Sequence, residues 1–173
     1  MLRPALMSSS LFFFAPRAAL TASYTFAAAD AGTHTFSMTF KSSTKQTFTA
    51  TNAATGAILA AQRDIPIAAA AMTGFAFRLP SNAAAGLAFS MILSAVDAFG
   101  NPVTGYVGKV HFSGPNGVPV DYTFTAADAG SHTFSITLGA TGTQTINVQD
   151  AVTGSFRGSA SIVIVNAGGG KKP

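Results

Sequence analysis

Tyr122 to Gly154 reads YTFTAADAGSHTFSITLGATGTQTINVQDAVTG, and Tyr24 to Gly56, 98 residues earlier, repeats the pattern without a gap as YTFAAADAGTHTFSMTFKSSTKQTFTATNAATG. A self-similarity at about a hundred residues has the length of a small domain, not the ~20 to 50 residues of a solenoid repeat. The second copy follows some fifty residues of strand-like sequence, Met72 to Asp121, whereas the first follows only Met1 to Ser23. The expected organisation is therefore an irregular leader (1–23), the C-terminal half of one unit (24–67), one complete unit (68–167) and a flexible Gly/Lys/Pro tail (168–173).

Within the repeat the apolar period is two. His132, Phe134, Ile136 and Leu138 fall on one face and Thr133, Ser135 and Thr137 on the other, the alternation of a half-buried strand. His34, Phe36, Met38 and Phe40 repeat it, with further strands expected from Gln46 and over Ile58 to Ile67. In the complete unit the expected strands are Thr73–Leu79, Leu87–Val96, Tyr106–Ser113, Val120–Phe124, His132–Leu138, Thr143–Gln149 and Phe156–Val165. Turn residues separate them: Pro80-Ser81-Asn82, Asp97-Ala-Phe-Gly100-Asn101-Pro102 and Gly114-Pro-Asn-Gly117. About seven short strands with turns every ~8 to 12 positions specify an all-β, antiparallel two-sheet sandwich. No stretch has the spacing of an amphipathic helix. The expected core faces carry Phe89, Met91, Leu93, Val110, Phe112, Phe134, Ile136, Leu138, Ile146 and Val148.

Composition narrows the function classes. Only 9% of residues are charged, glutamate is absent, and the surface is rich in hydroxyls. The net charge of +4 reflects few acids more than many bases, and the ten Lys and Arg residues are scattered, only Lys171 and Lys172 being adjacent. Nucleic-acid binding needs them clustered, so it is not expected. The absence of cysteine excludes disulfides and thiolate chemistry. Leu11 to Ala15 is shorter than the ~7 to 15 apolar residues of a secretory signal, and Pro16-Arg17 interrupts it.

Several stretches resemble the bacterial immunoglobulin-like domains found in tandem in large surface and secreted proteins of the invasin and intimin kind. They are Ala85-Gly86, Val96-Asp-Ala-Phe-Gly-Asn-Pro-Val103, Gly105-Tyr-Val-Gly108 with Val110-His-Phe112, and Tyr122-Thr-Phe124 leading to Asp128-Ala-Gly-Ser-His-Thr-Phe134. The resemblance implies an immunoglobulin-like sandwich from Met72 to Val165 and a partial one from Tyr24 to Ile67. The last of these stretches also resembles the corner of antibody-type domains, with His132 where those have Tyr and Phe134 where they have Cys. Neither a tyrosine corner nor a disulfide carries over.

Candidate site residues are few. His34 and His132 each follow an Asp by four positions and a hydroxyl residue by one. A hydrolytic triad requires nucleophile and base within hydrogen-bond reach, but adjacent strand residues point to opposite faces. The expectation is a structural imidazole bonded to the corner backbone, with His111 an outward strand residue and no catalytic constellation. Asp97, Asn101 and Asp128 are the first candidates for calcium. Calcium favours clustered carboxylates, and the six aspartates are dispersed, so these residues are expected to brace turns, with no metal or cofactor.

The expected role is a non-catalytic structural or adhesive module. It would be a spacer or stalk in a larger cell-surface or secreted protein, with neighbouring repeats of the same polypeptide as its first partners and a surface protein or glycan as a further ligand. The alternative is a carbohydrate- or protein-binding module using loops at one end of the sandwich, around Phe99 to Tyr106 and Pro115 to Val120.

Overall fold

The computed structural model describes residues 10–14, 23–52 and 55–167. The chain divides into two compact units, Met1–Ala68 and Ala69–Pro173. The expected tail, 168–173, and most of the expected leader lie outside the described residues.

The second unit is an all-β sandwich. Its strands are β5 (Met72–Arg78), β6 (Asn82–Ala84), β7 (Ala88–Asp97), β8 (Lys109–Ser113), β9 (Asp121–Thr123), β10 (Ser131–Thr137), β11 (Gly142–Asp150) and β12 (Arg157–Val165). They form a three-stranded sheet, β10-β7-β5, and a five-stranded sheet, β6-β12-β11-β8-β9. Pairing is antiparallel except between β6 and β12. Two facing sheets with this strand exchange make the immunoglobulin-like sandwich.

The alternating faces meet between the sheets. Met91, Leu93 and Ala95 of β7 are fully buried, as are Val110 of β8 and Ile146 of β11. Phe112, Phe124, Phe134 and Val148 join them in one core cluster, and Leu138, Ile162 and Ile164 form a second at one end. Each such side chain contributes roughly 1.5 to 3 kcal/mol by leaving water. Of the ten residues expected in the core, Phe89 alone is only partly buried.

In the second unit two differences from expectation exceed a single residue at a strand end. Strand β8 begins at Lys109, not Tyr106, because the Tyr106 N–H turns back to the Val103 carbonyl. Asn82, read as part of the turn with Pro80 and Ser81, instead opens a short strand, Asn82–Ala84, that adds in parallel to the edge of β12. At the same edge the two sheets come close. A Cβ on Gly158 would lie 2.6 Å from the Phe75 carbonyl oxygen, and one on Gly74 2.8 Å from that of Arg157.

The first unit builds one sheet, β2-β1-β3-β4, from β1 (Ser10–Phe14), β2 (Ser23–Thr25), β3 (Gln46–Asn52) and β4 (Ile58–Ile65). This is the order of β9-β8-β11-β12, strand for strand. Registers agree as well: Phe48, Thr49 and Ala50 face Gln62, Ala61 and Ala60, as Ile146, Asn147 and Val148 face Ala160, Ser159 and Gly158. Leu11 stands opposite both Asn52 and Tyr24, as Val110 stands opposite Asp150 and Tyr122.

The leader reading is therefore corrected at residues 10–14, which form a paired strand. Leu11 to Phe14 is apolar at every position, so alternation gave no signal there. The strand expected over His34–Phe40 is also corrected, because residues 33–40 belong to no strand. Their counterpart β10 gets its ladder from β7.

The Gly158–Phe75 approach yields a stability test. Gly158→Val should cost the second unit about 1 to 3 kcal/mol in urea unfolding, the usual penalty of overpacking. Gly139→Ala, where an added Cβ meets no heavy atom within 4 Å, should change stability by less than about 0.5 kcal/mol. Equal effects would contradict the close packing of β5 on β12.

Candidate functional site

The most concentrated polar chemistry lies at the corner before β10. Ala126–Asp128 makes one 3-10 turn, Ala129 enters the left-handed region at φ 46°, and Gly130 follows at φ 73°. A Cβ on Gly130 would collide with the Val103 carbonyl, so the glycine serves a close approach as well as the turn. Asp128 closes the corner as a capping box: its Oδ2 accepts the Thr125 N–H at 2.7 Å and the Thr125 hydroxyl at 2.8 Å.

The other carboxylate oxygen gathers two side chains. Tyr122 Oη donates to Asp128 Oδ1 at 2.9 Å, and His132 Nδ1 lies 2.6 Å from the same oxygen and 2.7 Å from Tyr122 Oη. Both hydrogens are accommodated when Oη–H and Nδ1–H donate to Oδ1. The rings lie against each other with centroids 4.1 Å apart. The Thr125 N–H, then His132, hold the Asp128 carboxyl well below the usual range, against the opposing effect of burial. Burial and the hydrogen bond to Asp128 raise the Tyr122 hydroxyl.

The first unit makes the same corner. Tyr24 Oη donates to Asp30 Oδ1 at 2.7 Å, the Ala27 N–H donates to Oδ2 at 2.7 Å, and His34 Nδ1 stands 3.5 Å from Oδ1. Ala31 repeats the left-handed conformation at φ 48°, and the Tyr24 and His34 rings stack at 3.8 Å. Asp30 is likewise lowered, first by the Ala27 N–H and then by Tyr24. Neither imidazole bonds the corner backbone as expected; each engages the Asp carboxylate four positions before it. No nucleophile completes a triad at His132: Ser131 Oγ bonds Ser94 Oγ at 2.8 Å, in the direction of β7.

The calcium candidates separate. Asp97, 3% exposed, receives Phe99 N–H at 2.8 Å and Asn101 N–H at 2.9 Å on Oδ1. On Oδ2 it receives the Ala70 N–H and the Asn101 side-chain amide, both at 2.9 Å. Burial pushes its carboxyl up, but these donors, led by the Asn101 amide, outweigh it and bring the pKa down from 3.8 to about 2. Asp97 and Asn101 thus meet each other, while Asp128 belongs to a different corner. Among the described residues no three His, Cys, Asp or Glu side chains converge.

Asp150 is a further brace that the sequence reading did not single out. Its Oδ1 caps the turn before β12 through Val152 N–H at 3.0 Å and Thr153 N–H at 2.7 Å, and its Oδ2 accepts Tyr106 Oη at 2.6 Å. The turn residues after Asp150 were the available signal. Tyr106, 44 positions away, gave none.

The alternative binding reading placed two loops at one end. Residues 98–108 precede β8 and residues 114–120 follow it, so they lie at opposite ends of that strand, and this part of the expectation is corrected. A shallow depression of about 640 Å³ lies instead on the outer face of the five-stranded sheet, lined by His111, Asn147, Gln149, Arg157 and Ser159 among others. No Phe or Tyr ring lines it. His111, outward as expected, bonds Asp121 at 2.8 Å, and Lys109 pairs with the same carboxylate at 2.9 Å.

No family model matches the chain, and no curated protein matches it. Among solved structures it is similar to a glycosyl hydrolase family 2 member from Bacteroides cellulosilyticus, at 12% identity and a TM-score of 0.50 over 91% of this chain and 22% of that one. It also matches a β-glycosidase from Bacteroides vulgatus (14% identity, TM-score 0.47, 90% of this chain and 21% of that one). A superoxide reductase (neelaredoxin) from Ignicoccus hospitalis matches at 12% identity and TM-score 0.36 over 54% of this chain and 82% of that one. The chain spans about a fifth of each glycosidase. The first likeness supports the all-β sandwich and nothing finer.

The braced carboxylates give stability a definite pH dependence. Asp97 has a folded pKa of about 2 against an ordinary 3.8. Between those values the unfolded chain binds a proton that the folded chain refuses, so stability is present above about pH 4 and falls as pH drops toward 2. The urea midpoint should decline over that window, and less steeply in Asp97→Asn than in the parent. Parallel slopes would contradict the role given to Asp97.

Proposed function

We propose that this chain is a non-catalytic structural segment, a spacer or stalk with an adhesive setting, in a larger cell-surface or secreted protein built of immunoglobulin-like repeats of the bacterial tandem kind. The observation that carries this reading is the duplication itself: at a 98-residue offset the same corner and the same four-strand order are built twice. Such units stack as mechanical elements, each with its own core, and their neighbours along the polypeptide are their first partners.

The carboxylates support the reading by what they do. Asp97, Asp128 and Asp150 each accept several donors from their own turns, which is the work of bracing rather than of proton transfer or ligation. The sparse charge and hydroxyl-rich surface suit a segment that keeps to itself while presenting partners elsewhere along the array. Among the described residues no helix is long and apolar enough to cross a membrane.

The reading is tested by the size and place of the native product. An antibody raised against the second unit, applied to fractionated source cells, should detect a band far above 17.5 kDa at the surface or in the medium. A lone band near 17.5 kDa inside the cell would overturn the stalk assignment.

A further inference from the structure

The outer face of the five-stranded sheet carries a set of polar side chains that the fold does not require. Strand registers place Asp121, His111, Gln149 and Arg157 in one row across β9, β8, β11 and β12, and Ser113, Asn147 and Ser159 in the next. Neighbours within a row are about 4.8 Å apart, and the two rows roughly 6.6 Å apart. The depression of about 640 Å³ lies over these rows. Its floor includes Val148 and Gly158, whose own side-chain positions face the core.

The hydrogen-bonding capacity of the rows is largely unspent. One row further on, Thr145 and Ser161 bond each other at 2.9 Å. Among the described residues, the side chains of Ser113, Asn147, Gln149 and Ser159 bond no protein group. Arg157 donates its Nε–H to the Gly154 carbonyl at 3.0 Å and makes no ion pair among the described residues, so a tethered guanidinium keeps its Nη groups for a ligand. Asp121, the one carboxylate in the two rows, is already paired with Lys109 at 2.9 Å and bonded to His111 Nδ1 at 2.8 Å. With Nδ1–H donating to Asp121, His111 Nε2 is an acceptor.

The duplication supplies a comparison within the chain. At the 98-residue offset Tyr122, Asp128 and His132 recur as Tyr24, Asp30 and His34, and both copies build the same four-strand order. The outer-face set does not recur: His111, Asn147, Gln149, Arg157 and Ser159 stand where the first copy has Phe13, Thr49, Thr51, Leu59 and Ala61. The sheet therefore forms without them.

We propose that this depression binds a carboxylated saccharide of the hexuronate class. The Arg157 Nη groups, with the Gln149 amide beside them, take the carboxylate, for which a guanidinium fork is suited. Asn147, Ser113, Ser159 and His111 Nε2 take hydroxyls, because an amide offers donor and acceptor side by side and each sugar hydroxyl is both. One uncompensated cation among neutral polar groups matches a ligand with one carboxylate among several hydroxyls. An acidic peptide fits less well: its carboxylates call for clustered cations, and an extended peptide adds to a sheet edge, whereas β11 here is laddered on both sides. With no Phe or Tyr ring to stack against a sugar, affinity rests on hydrogen bonds and is millimolar. The inference goes beyond the stalk reading and does not rest on it, since it concerns one sheet face whatever the parent protein does.

The test follows the full 173-residue chain by NMR during titration with tri-galacturonate, with the same trisaccharide after its carboxylates are reduced to hydroxymethyl groups, and with a tri-aspartate peptide. Tri-galacturonate should give saturable shifts confined to residues around 111–113, 147–149 and 157–159, with the neutral trisaccharide and the peptide at least about tenfold weaker. Arg157→Gln should weaken binding at least about tenfold and Asn147→Ala about three- to fivefold, neither moving the urea midpoint. Arg78→Gln, on the three-stranded sheet, should change affinity by less than about twofold, as a distant exposed charge is screened. Four results would each overturn the proposal: no saturable shift, equal binding of the neutral trisaccharide, peptide binding as tight as that of the sugar acid, or an Arg78→Gln loss equal to that of Arg157→Gln.

Discussion

The seam between β7 and β10 is the interaction on which the rest of the second unit depends. It places Met91 and Leu93 against Phe134 and Ile136, and so fixes the face that the five-stranded sheet must meet. An alternating sequence alone does not make a strand, because each backbone N–H and C=O directed toward a neighbour needs one there. Thr33 to Thr39 has nearly the sequence of β10, and it is not a strand. The two copies thus separate what local sequence specifies from what a partner specifies.

The corner belongs to the first category. Its contacts span six residues from Tyr24 to Asp30 or from Tyr122 to Asp128, and it forms whether or not the following segment is paired. A capping carboxylate, a left-handed alanine and a glycine suffice to turn the chain, and an aromatic ring closes over the result. The sheet β2-β1-β3-β4 belongs to the second category, as each of its strands finds a neighbour within the unit. Two braces in the second unit, at Asp97 and Asp150, tie strand ends to their loops with fully engaged carboxylates.

Much of this was legible in the sequence because period two is a direct readout of one buried face. The alternation of β7, β8, β10 and β11 placed nine of the ten expected residues correctly in the core, Phe89 being partly buried, while Phe75, Ala95, Phe124, Ile162 and Ile164 are buried without having been named. What escaped lacked alternation or spanned long separations. Leu11 to Phe14 is uniformly apolar, and Asn82 to Ala84 is too short and too close to Pro80 to read as a strand. The Asp-to-His spacing of four was visible, but the tyrosine that completes each corner sits ten residues before the histidine and carries no pattern of its own. The two loops of the binding alternative seemed neighbours in the sequence, and only the direction of β8 sets them apart.

The central claim is that nearly equal sequences in the two units differ in structure: Ser131 to Thr137 is laddered to β7, whereas Thr33 to Thr39 forms no strand. Amide hydrogen exchange on the chain alone tests it most directly, by comparing His34 with His132 and Met38 with Ile136. The account predicts that the amides of the second unit exchange at least about a hundredfold more slowly than their counterparts, as expected of core ladder bonds against unpaired backbone. Matching protection in the two copies would mean that the first unit completes its own sandwich, and would contradict the account.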